Sequence, residues 1–313
     1  TNDHPHLWRR ILFFVLSGFL ITGILLDNRN SPRFFSTFYI RRACRIWPLY
    51  YLVLASYAIA QTLHIGITDW SSMQMMPFWS YATFTQNFLM AKVGGYGGNW
   101  LAMTWSLAVE EQFYLLFPLF VYFASARTVF TSAVLTVALA PLVCNGLKAF
   151  CPFPWTLLHE QVHSLALGAI IACIFRAPSM LEYFKGKKVA LALLCVTLLI
   201  VSLSGISGGP KFLSYSFGAG MLWVLLNRDS LIATILRMRW LQFIGLISYG
   251  VYMIHQPIRG LSFWLTGRNV PLLSNPTEWG INITALFATI LLASVSYFLI
   301  EKRFLSLGRK ANW

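Results

Sequence analysis

Ile11-Leu-Phe-Phe-Val-Leu-Ser-Gly-Phe-Leu-Ile-Thr-Gly-Ile-Leu-Leu26 carries no charged side chain, and its only hydroxyls are one serine and one threonine. It has neither the two-residue alternation of a half-buried strand nor the one-sided stripe of a soluble amphipathic helix. A segment that is apolar all round is a helix buried in protein or lipid. Working outward, stretches of the same kind recur near residues 46–63, 105–124, 128–147, 159–175, 189–206, 211–226, 241–258 and 281–300. A bilayer core asks for ~20 apolar residues per helix, so the pattern predicts an all-α polytopic membrane bundle of about nine transmembrane helices. A further half-apolar stretch, 73–90, is interrupted by Pro77 and several polar residues. It reads as one re-entrant or interfacial segment that needs protein cover.

Composition points the same way. Of 313 residues, 57% are apolar and 11% charged, with a mean hydropathy of +0.63. A soluble domain carries about 25% charged residues, so a soluble globular protein is excluded, and intrinsic disorder fails on the apolar content. The expectation is a single integral-membrane domain over 1–313. The five cysteines, Cys44, Cys144, Cys151, Cys173 and Cys195, show neither Cys-x-x-Cys spacing nor a His/Cys cluster. They read as free thiols without a metal site, with Cys144 and Cys151 the one pair open to a disulfide in an oxidising compartment. The glycine-rich Lys92-Val-Gly-Gly-Tyr-Gly-Gly-Asn99 lacks the Lys-Ser/Thr of a phosphate-cradling loop.

The net charge of +14 is spread between apolar segments rather than along one arm, which argues against nucleic acid. Counted by side, 17 Lys and Arg fall in alternate loops and the tail, against 7 on the other side. The richer side carries the Arg29–Arg45 loop, Arg176 to Lys188, Arg228 to Arg239 and Lys302 to Lys310, and should be cytoplasmic, the C-terminus with it. Arg9 and Arg10 are the discordant pair. The N-terminal residues lack the features of a cleavable signal peptide.

Ionisable groups inside spans are functional hypotheses by default. In Thr104-Trp-Ser-Leu-Ala-Val-Glu-Glu-Gln-Phe-Tyr114, residues Ser106, Glu110 and Tyr114 stand at i, i+4 and i+8 on one helix face. At 1.5 Å per residue Glu110 lies ~8 Å from the outer end. It is either a proton-transfer group or a structural carboxylate paired between helices. In Ser248-Tyr-Gly-Val-Tyr-Met-Ile-His-Gln-Pro257, Ser248, Tyr252, His255 and Arg259 form a polar stripe, and His163 begins another helix at a similar depth. A His and a carboxylate at one level can share general acid–base work on a hydroxyl; the alternative is a hydrogen-bonded structural His. Arg41 and Arg45 share a face and Arg42 points elsewhere. Such guanidinium groups suit phosphate recognition or, equally, anchoring to anionic lipid.

Several blocks, in order, resemble the membrane-bound acyltransferase family 3. They are Phe13-Phe-Val-Leu-Ser-Gly-Phe-Leu-Ile-Thr22, Tyr39-Ile-Arg-Arg-Ala-Cys-Arg-Ile-Trp-Pro48, Trp105-Ser-Leu-Ala-Val-Glu-Glu-Gln-Phe-Tyr114, Leu165-Ala-Leu-Gly168, Ser248-Tyr-Gly-Val-Tyr-Met-Ile-His255 and Glu301-Lys-Arg-Phe304. The resemblance implies an integral protein of the bacterial inner (plasma) membrane that transfers an acyl group, usually acetyl from acetyl-CoA, to a hydroxyl of a cell-surface polysaccharide or lipid-linked sugar. No permanently bound cofactor is implied, and the oligomeric state is open. It implies Arg41, Arg42 and Arg45 beside the acyl-CoA donor, and Glu110, His255 and His163 as catalytic candidates, with Ser106, Tyr114 and Tyr252 near the acceptor. Relatives begin with another helix bearing an Arg and a His. Ten residues precede the Ile11 segment here, so the expectation is that this helix is missing and that His4, His6, His163 or His255 stands in. His163 occupies a position where many relatives carry Asp. Three readings follow: an active acyltransferase, a truncated inactive member, or a polysaccharide exporter or flippase on the same helices.

Overall fold

A computed structural model of the chain describes residues 7–63, 76–147, 153–204, 209–267 and 275–313. Among the described residues every regular element is helical. In chain order they are α1 (Leu7–Asp27), α2 (Phe34–Thr62), α3 (Phe78–Ala82), α4 (Gln86–Val93), α5 (Thr104–Phe123), α6 (Ala126–Leu147) and α7 (Leu158–Ile174). There follow α8 (Pro178–Lys185), α9 (Lys188–Leu203), α10 (Gly209–Leu226), α11 (Leu231–Leu236), α12 (Arg239–Leu265), α13 (Pro276–Ser296) and, after a π turn, α14 (Lys302–Lys310). Each of the nine apolar stretches lies on a helix, and 73–90 falls on the short pair α3 and α4.

Helix length and apolar character mark out candidate spans. Among the described residues three helices, Phe34–Thr62, Ala126–Gly146 and Pro276–Lys310, are long and apolar enough to cross a bilayer, and a fourth is reached if α7 and α8, bent by 100°, count as one span. The apolar helices α9 (Lys188–Leu203) and Lys211–Leu226 are shorter. Outward-facing Leu142, Val189, Leu203 and Phe287 are strongly exposed in the isolated chain. Apolar helix surfaces of this kind suit lipid as solvent, and the protein is an integral membrane protein.

One boundary differs from the sequence reading in a way that matters for the site. The stretch expected to start near 46 begins at Phe34, so Arg41, Arg42 and Arg45 lie on a helix rather than in a loop. No helix breaker occurs between Phe34 and Arg45, and Pro48 sits inside the same helix. An internal proline is tolerated in membrane helices where neighbours take up the freed backbone groups.

The chain forms two compact units, Thr1–Ser31 with Phe113–Met238, and Pro32–Gln112 with Arg239–Trp313. In the first, α1 and α7 meet backbone to backbone. A Cβ on Gly18 would overlap the Leu165 carbonyl, and one on Gly168 would overlap backbone atoms of Val15 and Phe19. Both glycines are needed for this close approach. Val15, Ile171, Ile174, Leu191 and Leu222 form the apolar core beside the crossing, and a cavity of about 290 Å³ lies among Phe117, Ala133, Val162 and Ala169. Arg176 closes one end by bonding Asp27 and, at 3.0 Å, the Ala172 carbonyl.

The second unit is held by side-chain hydrogen bonds. Tyr50 and Tyr51 of α2 donate to the carbonyls of Tyr81 (2.7 Å) and Ala82 (2.9 Å), docking the short α3. Gln86 opens α4 and donates to the Thr104 carbonyl at 3.0 Å, fixing the start of α5. Gly94 and Gly97 take positive φ in the loop between them. Asn275 caps α13 by accepting from the Glu278 amide at 3.0 Å. Past α14 the chain returns to α2: Thr37 donates to the Asn312 carbonyl at 2.7 Å.

Candidate functional site

The polar groups of α5 and α12 come together in the second unit. Ser106 and Tyr252 share a hydroxyl–hydroxyl bond of 2.7 Å, and Tyr252 also bonds the Met103 carbonyl. One turn along α12, the Gln256 side chain accepts from the Met103 amide at 3.3 Å. Ser106, Glu110 and Tyr114, expected on one face of α5 from their spacing, are all buried, Glu110 with 2% exposure, but α5 is buried on every side from Thr104 to Glu110, so burial alone does not single that face out.

His255 is oriented by its own helix. Its Nδ1 lies 2.7 Å from the Tyr252 carbonyl oxygen, an atom that can only accept, so Nδ1 carries the hydrogen and the lone pair of the neutral ring falls on Nε2. A ring fixed at one nitrogen by a carbonyl and basic at the other is the arrangement a general base requires. Ser248 leaves the expected stripe. It is exposed, and its hydroxyl turns back to the Gly245 carbonyl at 2.8 Å. Tyr249 takes its place facing inward and donates to the Ile46 carbonyl at 2.7 Å. Tyr249, Tyr252 and Gln256 stand at i, i+3 and i+7, a spacing that marks this face as well as the one chosen from sequence.

The three arginines have different surroundings. Arg41 donates from Nε and Nη2 to the Ala311 carbonyl (3.1 and 2.9 Å), and its guanidinium lies 5.3 Å from the Trp313 ring centre. Arg42 stacks over Phe38 and acts electrostatically on Glu111, whose Oε2 accepts from Trp47 at 3.4 Å. Arg45 is exposed and acts on Glu301, to which Ser296 donates at 3.3 Å. Glu111 and Glu301 escaped the sequence reading. Neither stands on the polar face of its helix by spacing; only the fold puts them opposite arginines.

His163 belongs to the first unit. Its Nε2 is 3.1 Å from the Ser214 hydroxyl of α10 and 3.3 Å from that of Ser164, and the two serines are 3.1 Å apart. His4, His6 and Cys151 lie outside the described residues, so the stand-in histidines at the start and the Cys144–Cys151 pairing are not part of the structural account. Cys144 itself bonds the His159 carbonyl at 3.4 Å.

A family model described as an acyltransferase domain matches residues 6–300. Among curated proteins the chain is 28% identical over 323 residues to YrhL of Bacillus subtilis (strain 168), provisionally named a peptidoglycan O-acetyltransferase, covering 93% of this chain and 49% of that protein. It is 26% identical over 340 residues to the O-acetyltransferase OatA of Staphylococcus aureus (strain NCTC 8325 / PS 47), covering 96% of this chain and 52% of OatA. An uncharacterized Haemophilus influenzae (strain ATCC 51907 / DSM 11121 / KW20 / Rd) protein is 28% identical over 205 residues, which is 60% of this chain and 83% of that protein. The chain thus spans about half the length of the first two relatives. No solved structure matches it.

Proposed function

Because the chain belongs to the acyltransferase domain family, we propose that it transfers an acyl group, acetyl from acetyl-CoA, to a hydroxyl of a cell-surface glycan. Relatives named for peptidoglycan O-acetylation make a cell-wall polymer the first acceptor to try. The observation that carries the reading is the His255 ring, fixed through Nδ1 by the Tyr252 carbonyl with Nε2 basic, one turn along α12 from the Tyr252 hydroxyl that bonds Ser106. The acceptor hydroxyl gives its proton to His255 Nε2 as its oxygen attacks the acyl carbonyl, and the thiolate leaves. Glu110, buried on the same α5 face as Ser106, stabilises the imidazolium that forms. Ser106 and Tyr252 position the acceptor.

Arg42 and Arg45 hold the phosphates of the donor, a task that suits guanidinium groups; Arg41 shares it only if its bonds to the Ala311 carbonyl are given up. The excess of Lys and Arg on one side supports a cytoplasmic C-terminus, and the resemblance to bacterial acyltransferases supports the inner membrane. The test is release of free CoA thiol from acetyl-CoA by membranes carrying the full chain, with a panel of glycan acceptors. Acceptor-dependent release supports the reading. Glycan movement across the membrane without thiol release contradicts it and points to an exporter.

A further inference from the structure

Past α14 the chain closes over α2, within the second unit. Gly308 lets α14 come near: a Cβ there would lie 3.1 Å from the Cys44 Cβ and 3.5 Å from the Arg41 Cα. Residues 311–313 then meet α2 at three points. The Thr37 hydroxyl donates to the Asn312 carbonyl at 2.7 Å. Arg41 donates from Nε (3.1 Å) and Nη2 (2.9 Å) to the Ala311 carbonyl. The Trp313 ring centre lies 5.3 Å from the same guanidinium and 6.3 Å from the ring centre of Phe34. Thr37 and Phe34 are 1% and 2% exposed, so the segment is anchored in the packed side of α2 rather than laid on its surface. Among the described residues Arg41 forms no ion pair with a carboxylate. A neutral carbonyl occupies its donors and leaves its charge without a counterion, whereas a phosphate would supply two parallel acceptors and a negative charge.

We infer that residues 311–313 are a strap that competes with the acyl-CoA donor for Arg41, an inference that rests on the reading above that arginines of α2 hold the donor's phosphates. With the strap seated, Arg42 and Arg45 hold the donor without Arg41. Arg41 joins them once its two bonds to the Ala311 carbonyl and its contact with Trp313 are given up. Donor binding at all three arginines therefore includes the opening of the strap, and the apparent affinity is scaled by the fraction of molecules in which it is open. Thr37 and Trp313 hold the strap and touch no phosphate. They are positioning residues, and what they set is the affinity for the donor rather than the chemistry at the acyl carbon.

The experiment uses the full chain in membranes and reads two quantities: equilibrium binding of tritiated CoA, and the KM and kcat for acetyl-CoA in acceptor-dependent thiol release. Trp313→Ala and Thr37→Val should each bind CoA about five-fold more tightly, the effect of losing one contact of the strap, with KM lowered in step and kcat unchanged. Trp313→Phe, which keeps an aromatic face for the guanidinium, should stay near the wild type. A residue that merely packs would lower the thermal unfolding midpoint and leave CoA affinity where it was. Trp313 is half-buried, so its variant decides the question even if Thr37→Val misfolds. CoA binding by Trp313→Ala no tighter than by the wild type overturns the strap and, with thiol release by the wild type intact, leaves the acyltransferase reading standing. A wild type that neither binds CoA nor releases thiol from acetyl-CoA overturns both.

Discussion

The two units solve the problem of packing helices in lipid by different means. In the first, α1 and α7 touch through their backbones because Gly18 and Gly168 have no side chain to hold them apart. In the second, α5 and α12 are joined by the hydroxyls of Ser106 and Tyr252 and the amide of Gln256. Lipid offers no hydrophobic drive for helix association, so close van der Waals contact and interhelical hydrogen bonds must supply it. A backbone crossing tolerates almost no change. A hydrogen-bonded one exchanges partners at modest cost, and that places the proposed acceptor chemistry in the unit whose contacts can be remade around a substrate.

The sharpest way to break this contrast is Gly168→Val. Its side chain would have to displace backbone on α1, and we expect a loss on the order of 4 kcal/mol or more, read as failure of the protein to survive detergent extraction as a monodisperse species. The same substitution at Gly146, where an added Cβ meets nothing within 4 Å, should leave extraction unchanged. Next in size are Glu110→Gln and His255→Gln. Each should lower glycan acetylation at least about 100-fold with the thermal unfolding midpoint little moved; a fall in the midpoint to match would make them packing residues. Ser106→Ala and Tyr252→Phe, alone and together, should show a coupling of about 1 kcal/mol in unfolding free energy, the worth of one buried hydrogen bond. Additive effects would mean that the hydroxyls do not act as a pair. The smallest effect belongs to Asp27→Asn. Its partner Arg176 is 30% exposed and Asp27 itself 57%, so the loss should stay within about 1 kcal/mol and shrink with added salt.

What could be read from the sequence divides along the same line. Apolar runs announced every long helix, since burial in lipid leaves a composition signal that needs no partner to be seen. The alignment of Ser106, Glu110 and Tyr114 along one side of α5 was equally legible from spacing, but that α5 is buried on every side from Thr104 to Glu110 was not. Tertiary pairings left no such mark. Nothing local distinguishes Ser248 from Tyr249 as the inward residue of α12, or sets Glu111 apart from Glu110, until α2 is in place. Likewise nothing local announced that His163 would meet the hydroxyls of Ser164 and Ser214 in the first unit. The arginines were misplaced in a loop because charged residues near a span look like its end; the helix continues through them from Phe34.

The most direct test is ester formation itself. Membranes containing the wild type and the His255→Gln variant at equal amounts would be given [14C]acetyl-CoA and cell-wall glycan, and the base-labile label on the purified glycan counted. The account predicts labelled glycan from the wild type and at most about one hundredth of it from the variant. Equal labelling of the glycan by both would contradict it.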